Sequence, residues 1–372
     1  MKDQIAKEIL DRYLAGKSSI EEQALVETWY LDLGDKQEVN APIDYDFRYQ
    51  QLLATLPGPK KTQVIPLWSR LIAAAIALIV IGAGLFYYQA QDPKRGLHAM
   101  ANYANDIAPG KVGATLTLAN GKKIRLSDAA NGQIAKQAGI SVIKTADGQI
   151  TYKIEESSSN NNQVNTLSTA VGETYSLILP DQSKVWLNAA SSLTYAAGLQ
   201  QQGQRRVKLV GEAYFQVAKD ALHPFVVESG SQQVEVLGTE FNVNSYQDEE
   251  VFRTTLLQGS VKLSDNGATR ILSPGDQATN AKGQLHLATV DTELAVAWKN
   301  NKFIFERLHI EEIMRMISRW YNVEVIYQGE VPDVTFWGSV SRFENVSKAL
   351  ISLEATGNVH FKIEGRKIYV FM

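Results

Sequence analysis

Two kinds of residue in this chain are of a type and spacing that could do covalent chemistry. The first is Gly238-Thr239, within the run VLGTEF. A threonine hydroxyl can attack the carbonyl of the residue before it and turn the amide into an ester, and a glycine leaves that carbonyl unshielded. The structural alternative is a turn glycine beside a strand threonine. The second is a pair of carboxylates, Glu212 and Glu240, which a glycosidase would place on either side of a sugar bond. Both lie in runs that read as strands, where a hydrogen-bonded structural carboxylate is the simpler account. The five histidines, His98, His223, His286, His309 and His360, are scattered, with no HExxH spacing, and no phosphate-binding glycine loop is present. Zero cysteines exclude disulfides, thiolate catalysis and cysteine-based zinc sites. The expectation is a protein that is not an enzyme, with no cofactor and no metal.

The elements that would carry such residues fall into blocks. Leu71 to Tyr88 contains no charge, and at ~1.5 Å per residue it spans roughly 27 Å, close to a ~30 Å hydrocarbon core. Arg70 can snorkel, and Trp68, Tyr87 and Tyr88 suit the two interfaces. One transmembrane helix over 71–88 is expected. Lys60, Lys61 and Arg70 before it against Lys94 and Arg95 after it put the N-terminus in the cytoplasm, by one charge. Before Pro59 six basic side chains face eleven acidic ones, a net of −5, so the remainder carries +2 of the total −3. That acidity disfavours direct contact with nucleic acid and suits a basic protein partner.

Residues 1–58 read as three short helices. Ile5, Ile9, Leu10, Tyr13 and Leu14 make an apolar stripe, Ser19 with Glu22 forms a capping box, and a third stretch covers Asp46 to Thr55. So small an all-α unit buries little core and needs a partner to order it. Beyond the uncharged run, 92–163 reads as a β module and a polar linker (Glu155 to Asn165), and 164–287 as short strands punctuated by glycines, solenoid-like or sandwich-like. TLTLANGKKIRLSDAA from Thr115 repeats as SLILPDQSKVWLNAAS from Ser176, which predicts two related hairpins. Residues 298–372 alternate strand and amphipathic helix in two βαβ-like units, an α+β domain.

The blocks LPDQSKVWLNAASSLTY (Leu179 to Tyr195), RRVKLVGEAYFQVAKD (Arg205 to Asp220), HPFVVES (His223 to Ser229), VEVLGTEFNV (Val234 to Val243), TTLLQGSVKL (Thr254 to Leu263) and LSPGDQA (Leu272 to Ala278) together resemble the FecR family of membrane-bound anti-sigma regulators. Trp298 to Val370 is similar to the α+β domain that follows it in many Bacteroidetes-type members, akin to the secretin and TonB-receptor N-terminal fold. Arg12 to Tyr30 looks like their helical anti-sigma segment.

The resemblance implies a single-pass protein of the inner membrane, N-terminus cytoplasmic and C-terminus periplasmic. Its helical segment would hold an extracytoplasmic-function sigma factor, with Leu10, Tyr13, Leu14 and Trp29 as candidate contacts. Its C-terminal domain, somewhere within Trp298 to Met372, would meet the signalling domain of a TonB-dependent receptor. Periplasmic and intramembrane proteases would then release the sigma factor. Some FecR-like regulators split at a Gly-Thr step, which keeps Gly238 and Thr239 as a candidate pair. A membrane-anchored protein that binds cell-wall material or glycan, without sigma regulation, is the alternative reading of the same anchor and β-rich exterior.

Overall fold

The computed structural model describes residues 8–13, 17–19, 22–26, 28, 106–137, 140–146, 148–154, 163–281, 284–331 and 333–371. Two sheets share one long strand, Gln204–Gln216. Its first half pairs with Ser192–Gln201 and, in parallel, with Phe225–Ser229. From Gly211 onward it leaves for the second sheet, pairing there with Glu240–Ser245 and Lys184–Leu187. Gly211 makes the transfer at φ +91°, where a Cβ would lie 2.9 Å from the Ser191 Cα. A side chain would be strained there by both the backbone angle and the contact.

Alternation of period two turns one face of each strand inward. Glu173–Ile178 and Val261–Asp265 each alternate buried and half-buried positions along their length. Leu167, Leu193, Val207, Phe225, Val234 and Leu263 from the first sheet meet Leu177, Val185, Phe215, Phe241, Val243 and Leu256 from the second in one apolar core. Phe215 stacks on Phe241 at 5.0 Å between ring centres. Ala114, Leu116, Leu126, Val142 and Ile150 belong to the same core, so the strands of 111–154 are part of this body and not a module beside it.

The repeat seen in the sequence is a repeat of geometry. Leu116 pairs with Ile124 in one hairpin and Leu177 with Val185 in the other. Each turn is closed by the same bonds: Leu118 N to Lys122 O at 2.9 Å and Leu179 N to Ser183 O at 2.8 Å. Asn120 in one and Asp181 in the other accept from the amide two residues on, both at 3.0 Å. The polar stretch 155–165 is shorter than the sequence suggests, since Val164–Ser168 is a strand between the first hairpin and Ser192–Gln201.

Helix α1 (Thr292–Val296) and Trp298 cover Tyr214 on the second sheet and lead into a second body with its own core. There α2 (Ile310–Tyr321) buries Ile310, Ile313, Met314, Ile317, Trp320 and Tyr321, the stripe its spacing prescribes, and Asn322 ends it at φ +53°. Helix α3 (Val346–Glu354) buries Val346, Ala349, Leu350 and Leu353. The strands of the two βαβ-like units pair across units. Lys302–His309 runs antiparallel to Thr335–Ser341, and Glu324–Gln328 parallel to Lys367–Phe371, which also pairs with His360–Glu364.

The expected fold class is corrected here. The described chain is mostly β, and among the described residues no helix is long and apolar enough to cross a membrane; the run 71–88 lies outside them. Nor do the described residues show a separate all-α domain. The helical residues 8–13 and 22–26 keep the expected capping box, Ser19 N to Glu22 Oε2 at 3.0 Å and Glu22 N to Ser19 Oγ at 3.2 Å. They rest, however, against the β body: Gln258 donates to the Gln23 amide oxygen at 2.9 Å, and the Thr28 and Ser260 hydroxyls are 2.9 Å apart. So small a helical unit gains burial by lying on a larger neighbour. The stretch Asp46 to Thr55 also lies outside the described residues.

Gly211→Ala should cost about 2–3 kcal/mol in urea unfolding, because it combines positive φ with a backbone contact. Gly267→Ala, at φ +85° with no atom within 4 Å of its Cβ position, should cost only the backbone part, about 1 kcal/mol. Equal losses would mean that the crossing between sheets does not depend on Gly211.

Candidate functional site

The two bodies meet over a set of buried charges. Glu212, one residue past the crossing, points out of the second sheet and is fully enclosed. Its carboxylate accepts from Asn188 Nδ2 at 2.7 Å and Asn242 Nδ2 at 3.0 Å. Asn242 in turn accepts from Trp298 Nε1 at 3.1 Å. From the C-terminal body comes Arg342, 2 % exposed, at the end of Thr335–Ser341. It donates to the Trp298 carbonyl at 3.0 Å and to Asn188 Oδ1 at 3.1 Å, and lies over the Trp320 ring at 4.0 Å. Trp320 Nε1 returns a bond to the Arg342 carbonyl at 2.9 Å.

A second group of charges flanks the first. Glu249 accepts from Arg315 Nε at 2.9 Å and pairs with Arg319, which also meets Asp248 at 2.8 Å and stacks over Tyr246 at 4.1 Å. Arg253 donates to Glu312 at 2.9 Å. Arg315 and Arg319 are four apart on α2, one face of a helix. Between these groups lies a cavity of about 290 Å³, lined among others by Glu212, Asn244, Arg253, Arg319 and Arg342.

Burial sets the charge states. It pushes the Glu212 carboxyl above the ordinary carboxylate range, against the pull of Asn242, Asn188, Arg319 and Arg342. It lowers the Arg342 guanidinium to about 10, opposed chiefly by Glu212. Arg319 is held above its usual range: burial works against its charge, but Tyr246, Glu249 and Asp248 outweigh it. The Tyr246 hydroxyl is raised by burial and by Glu212, and it donates to the Ala189 carbonyl at 2.6 Å. The arrangement is matched charge and hydrogen bonding across a domain junction. Breaking one member of such a junction costs more than the intact set contributes, because the remaining charge is left buried and unpaired.

The residues singled out by sequence are placed as follows. Glu212 and Glu240 are not paired. Glu240 accepts from the Tyr214 hydroxyl at 2.6 Å and from Gln216 at 2.8 Å, so both carboxylates have structural partners. The Thr239 hydroxyl donates to the Ser260 carbonyl at 3.0 Å, and a Cβ at 238 would lie 2.9 Å from the Lys219 Cα, which accounts for the glycine by close approach. Tyr13 lies under the Lys219 ammonium at 5.1 Å, and Leu10 is half-buried. Leu14 and Trp29 lie outside the described residues. His98 lies outside the described residues; among the described residues, His223, His286, His309 and His360 included, no group of three or more His, Asp or Glu side chains could hold a metal ion. Sequence reasoning missed Arg342, Arg319, Glu249, Asn188 and Asn242. The one available signal was the i, i+4 arginine pair beside the apolar stripe of α2.

Comparison with known proteins adds the following. Residues 165–262 match the family model described as FecR protein, and residues 302–370 the one described as FecR, C-terminal. No curated protein matches the chain. A crystal structure of a candidate anti-sigma factor from Parabacteroides distasonis ATCC 8503 is similar at a TM-score of 0.53 and 26% identity, over 56% of this chain and 98% of that one. A second crystal structure under the same description gives 0.52 and 26%, over 55% and 97%.

Because burial raises the Glu212 pKa above its unfolded value, its contribution to stability is fully present below the unfolded pKa and is lost as pH rises through the folded one. Unfolding measured from the ordinary carboxylate range upward should show this loss, and Glu212→Gln should flatten it. Arg342→Ala, which removes one of the two guanidinium groups of the C-terminal body that oppose Glu212 and leaves the Trp298 carbonyl and Asn188 without their donor, should cost about 3–5 kcal/mol. A pH profile unchanged by Glu212→Gln would mean that the carboxylate is not the titrating group.

Proposed function

The chain is a member of the FecR family of anti-sigma factors, and from that premise we propose that it holds an extracytoplasmic-function sigma factor inactive until an external partner engages its C-terminal domain. The observation that carries this reading is the tandem of the two FecR domains, each with its own core, joined through a closed junction of charges. Such a tandem can pass a docking event on one domain to the other.

The external partner is the signalling domain of a TonB-dependent receptor. Two exposed aromatic side chains of the C-terminal domain support a docking surface there, Trp337 at 56% and Phe343 at 72% exposure, with Arg307 stacked over Trp337 at 5.4 Å. Proteases that cut the regulator complete the scheme, and the acidic N-terminal segment supplies the sigma-binding face. The full chain, tagged at Met372 and cross-linked in its own cells, should retain a sigma factor, and Leu10→Asp should lower the yield at least about tenfold. Retention of a wall polymer with no sigma factor would replace this reading by an adhesive one.

In the same reading the protein sits at the cytoplasmic membrane with residues 106–372 outside, supported by the uncharged run Leu71 to Tyr88 and the basic residues before it; the bilayer then parts the N-terminal helices from the β body, and the Gln23–Gln258 and Thr28–Ser260 contacts are not made in the inserted protein. A reporter enzyme joined at Lys2 should be active inside and one joined at Met372 outside. Both in one compartment would overturn the localisation and would leave the Gln23–Gln258 and Thr28–Ser260 contacts as the working arrangement.

A further inference from the structure

A short segment that belongs by sequence to neither FecR domain is clamped by both. Ile107 is buried in the core of the C-terminal domain, and its carbonyl accepts from Val346 N at 3.0 Å. Asp106 supplies what α3 lacks. Asn345, at the cap position, makes no side-chain cap bond, while Asp106 accepts from Ser347 N at 3.1 Å and from the Ser347 hydroxyl at 2.6 Å. A carboxylate there also answers the positive end of the helix.

Five residues on, the same segment is bound to the β body. Lys111 N donates to the Gly172 carbonyl at 2.8 Å, and Lys111–Val112 runs parallel to Glu173–Thr174. Between the two anchors Gly110 fits where a Cβ would lie 2.6 Å from the Trp320 ring. Gly172 completes the clamp by donating its N–H to the Arg319 carbonyl of α2 at 2.7 Å. The Arg319 side chain is engaged at the charged junction, so one helix end holds both the junction and the segment.

We propose that Asp106–Val112 is a latch, held only while the C-terminal domain is seated on the β body and freed when that domain is drawn away. Its N-terminal anchor is in one body and its C-terminal anchor in the other. Separation must therefore break one of them, and it also takes Trp320 off Gly110, so that the two-residue pairing of Lys111–Val112 loses its backing and frays open. Lys111 and Val112 already present exposed side chains, so what shields the Lys111–Val112 bond is its backbone pairing. Use of the latch to gate a regulatory protease rests on the function proposed above. The latch itself does not, and its test contains neither sigma factor nor receptor.

The test is trypsin cleavage after Lys111 of the full chain with Trp29, Trp68, Trp186 and Trp337 replaced by Phe, followed by mass spectrometry of the fragment that begins at Val112, along a urea titration in which tryptophan emission then reports the opening of Trp298 and Trp320. Cleavage should rise over the same urea range as the emission shift. In Arg253→Ala/Arg315→Ala, which touches the junction and not the latch, both should move together to lower urea. Ile107→Ser should raise cleavage about tenfold without urea and without an emission shift, because protease attack follows the population of the open form. Cleavage that precedes the emission shift, or waits for unfolding of the β core, overturns the proposal, as does an unchanged rate in Ile107→Ser.

Discussion

One buried guanidinium constrains how the two halves of this protein can sit. Arg342 reaches the Trp298 carbonyl, the Asn188 side chain and the Trp320 ring at once, and its charge is balanced across the junction by Glu212. Each of those groups comes from a different element. A shift of an ångström or so between the bodies would break several of these bonds together and leave two charges poorly paired away from water, which is costly. A partner that draws the bodies apart would therefore have to break these bonds together.

The placement of Glu212 follows from the β body. Strand Gln204–Gln216 can serve two sheets because Gly211 tolerates the angle at the crossing. The residue after the crossing emerges at the outer surface of the second sheet, among asparagines from the neighbouring strands. On the other side, α2 places its apolar stripe inward and so leaves Arg315 and Arg319 free to face Asp248 and Glu249. The same patterning that builds each core thus sets the charges at its edge.

Much of this was legible in the sequence because it is local. The hairpin repeat, the α2 stripe and the Ser19/Glu22 capping box are written in spacings of two, three and four residues, and each is present. Strand pairing across the two βαβ-like units was not legible, since period-two alternation says which face is buried and not which neighbour is taken. The junction was hidden for a related reason. Glu212 and Arg342 are 130 positions apart, and nothing in the residues around either announces the other. The fold class was read from the helical N-terminal stripe and the uncharged run, whereas the described chain is dominated by one β core and the α+β domain fixed to it.

Hydrogen exchange of the full chain in its folded state tests the seated junction most directly. Amides bonded across the junction, such as that of Gly172 to the Arg319 carbonyl, should exchange far more slowly than exposed loops yet faster than those of Gln204–Gln216, because they open when the two bodies part and before the β core unfolds. Exchange of those amides at the rate of exposed loops, with both cores still protected, would contradict the account.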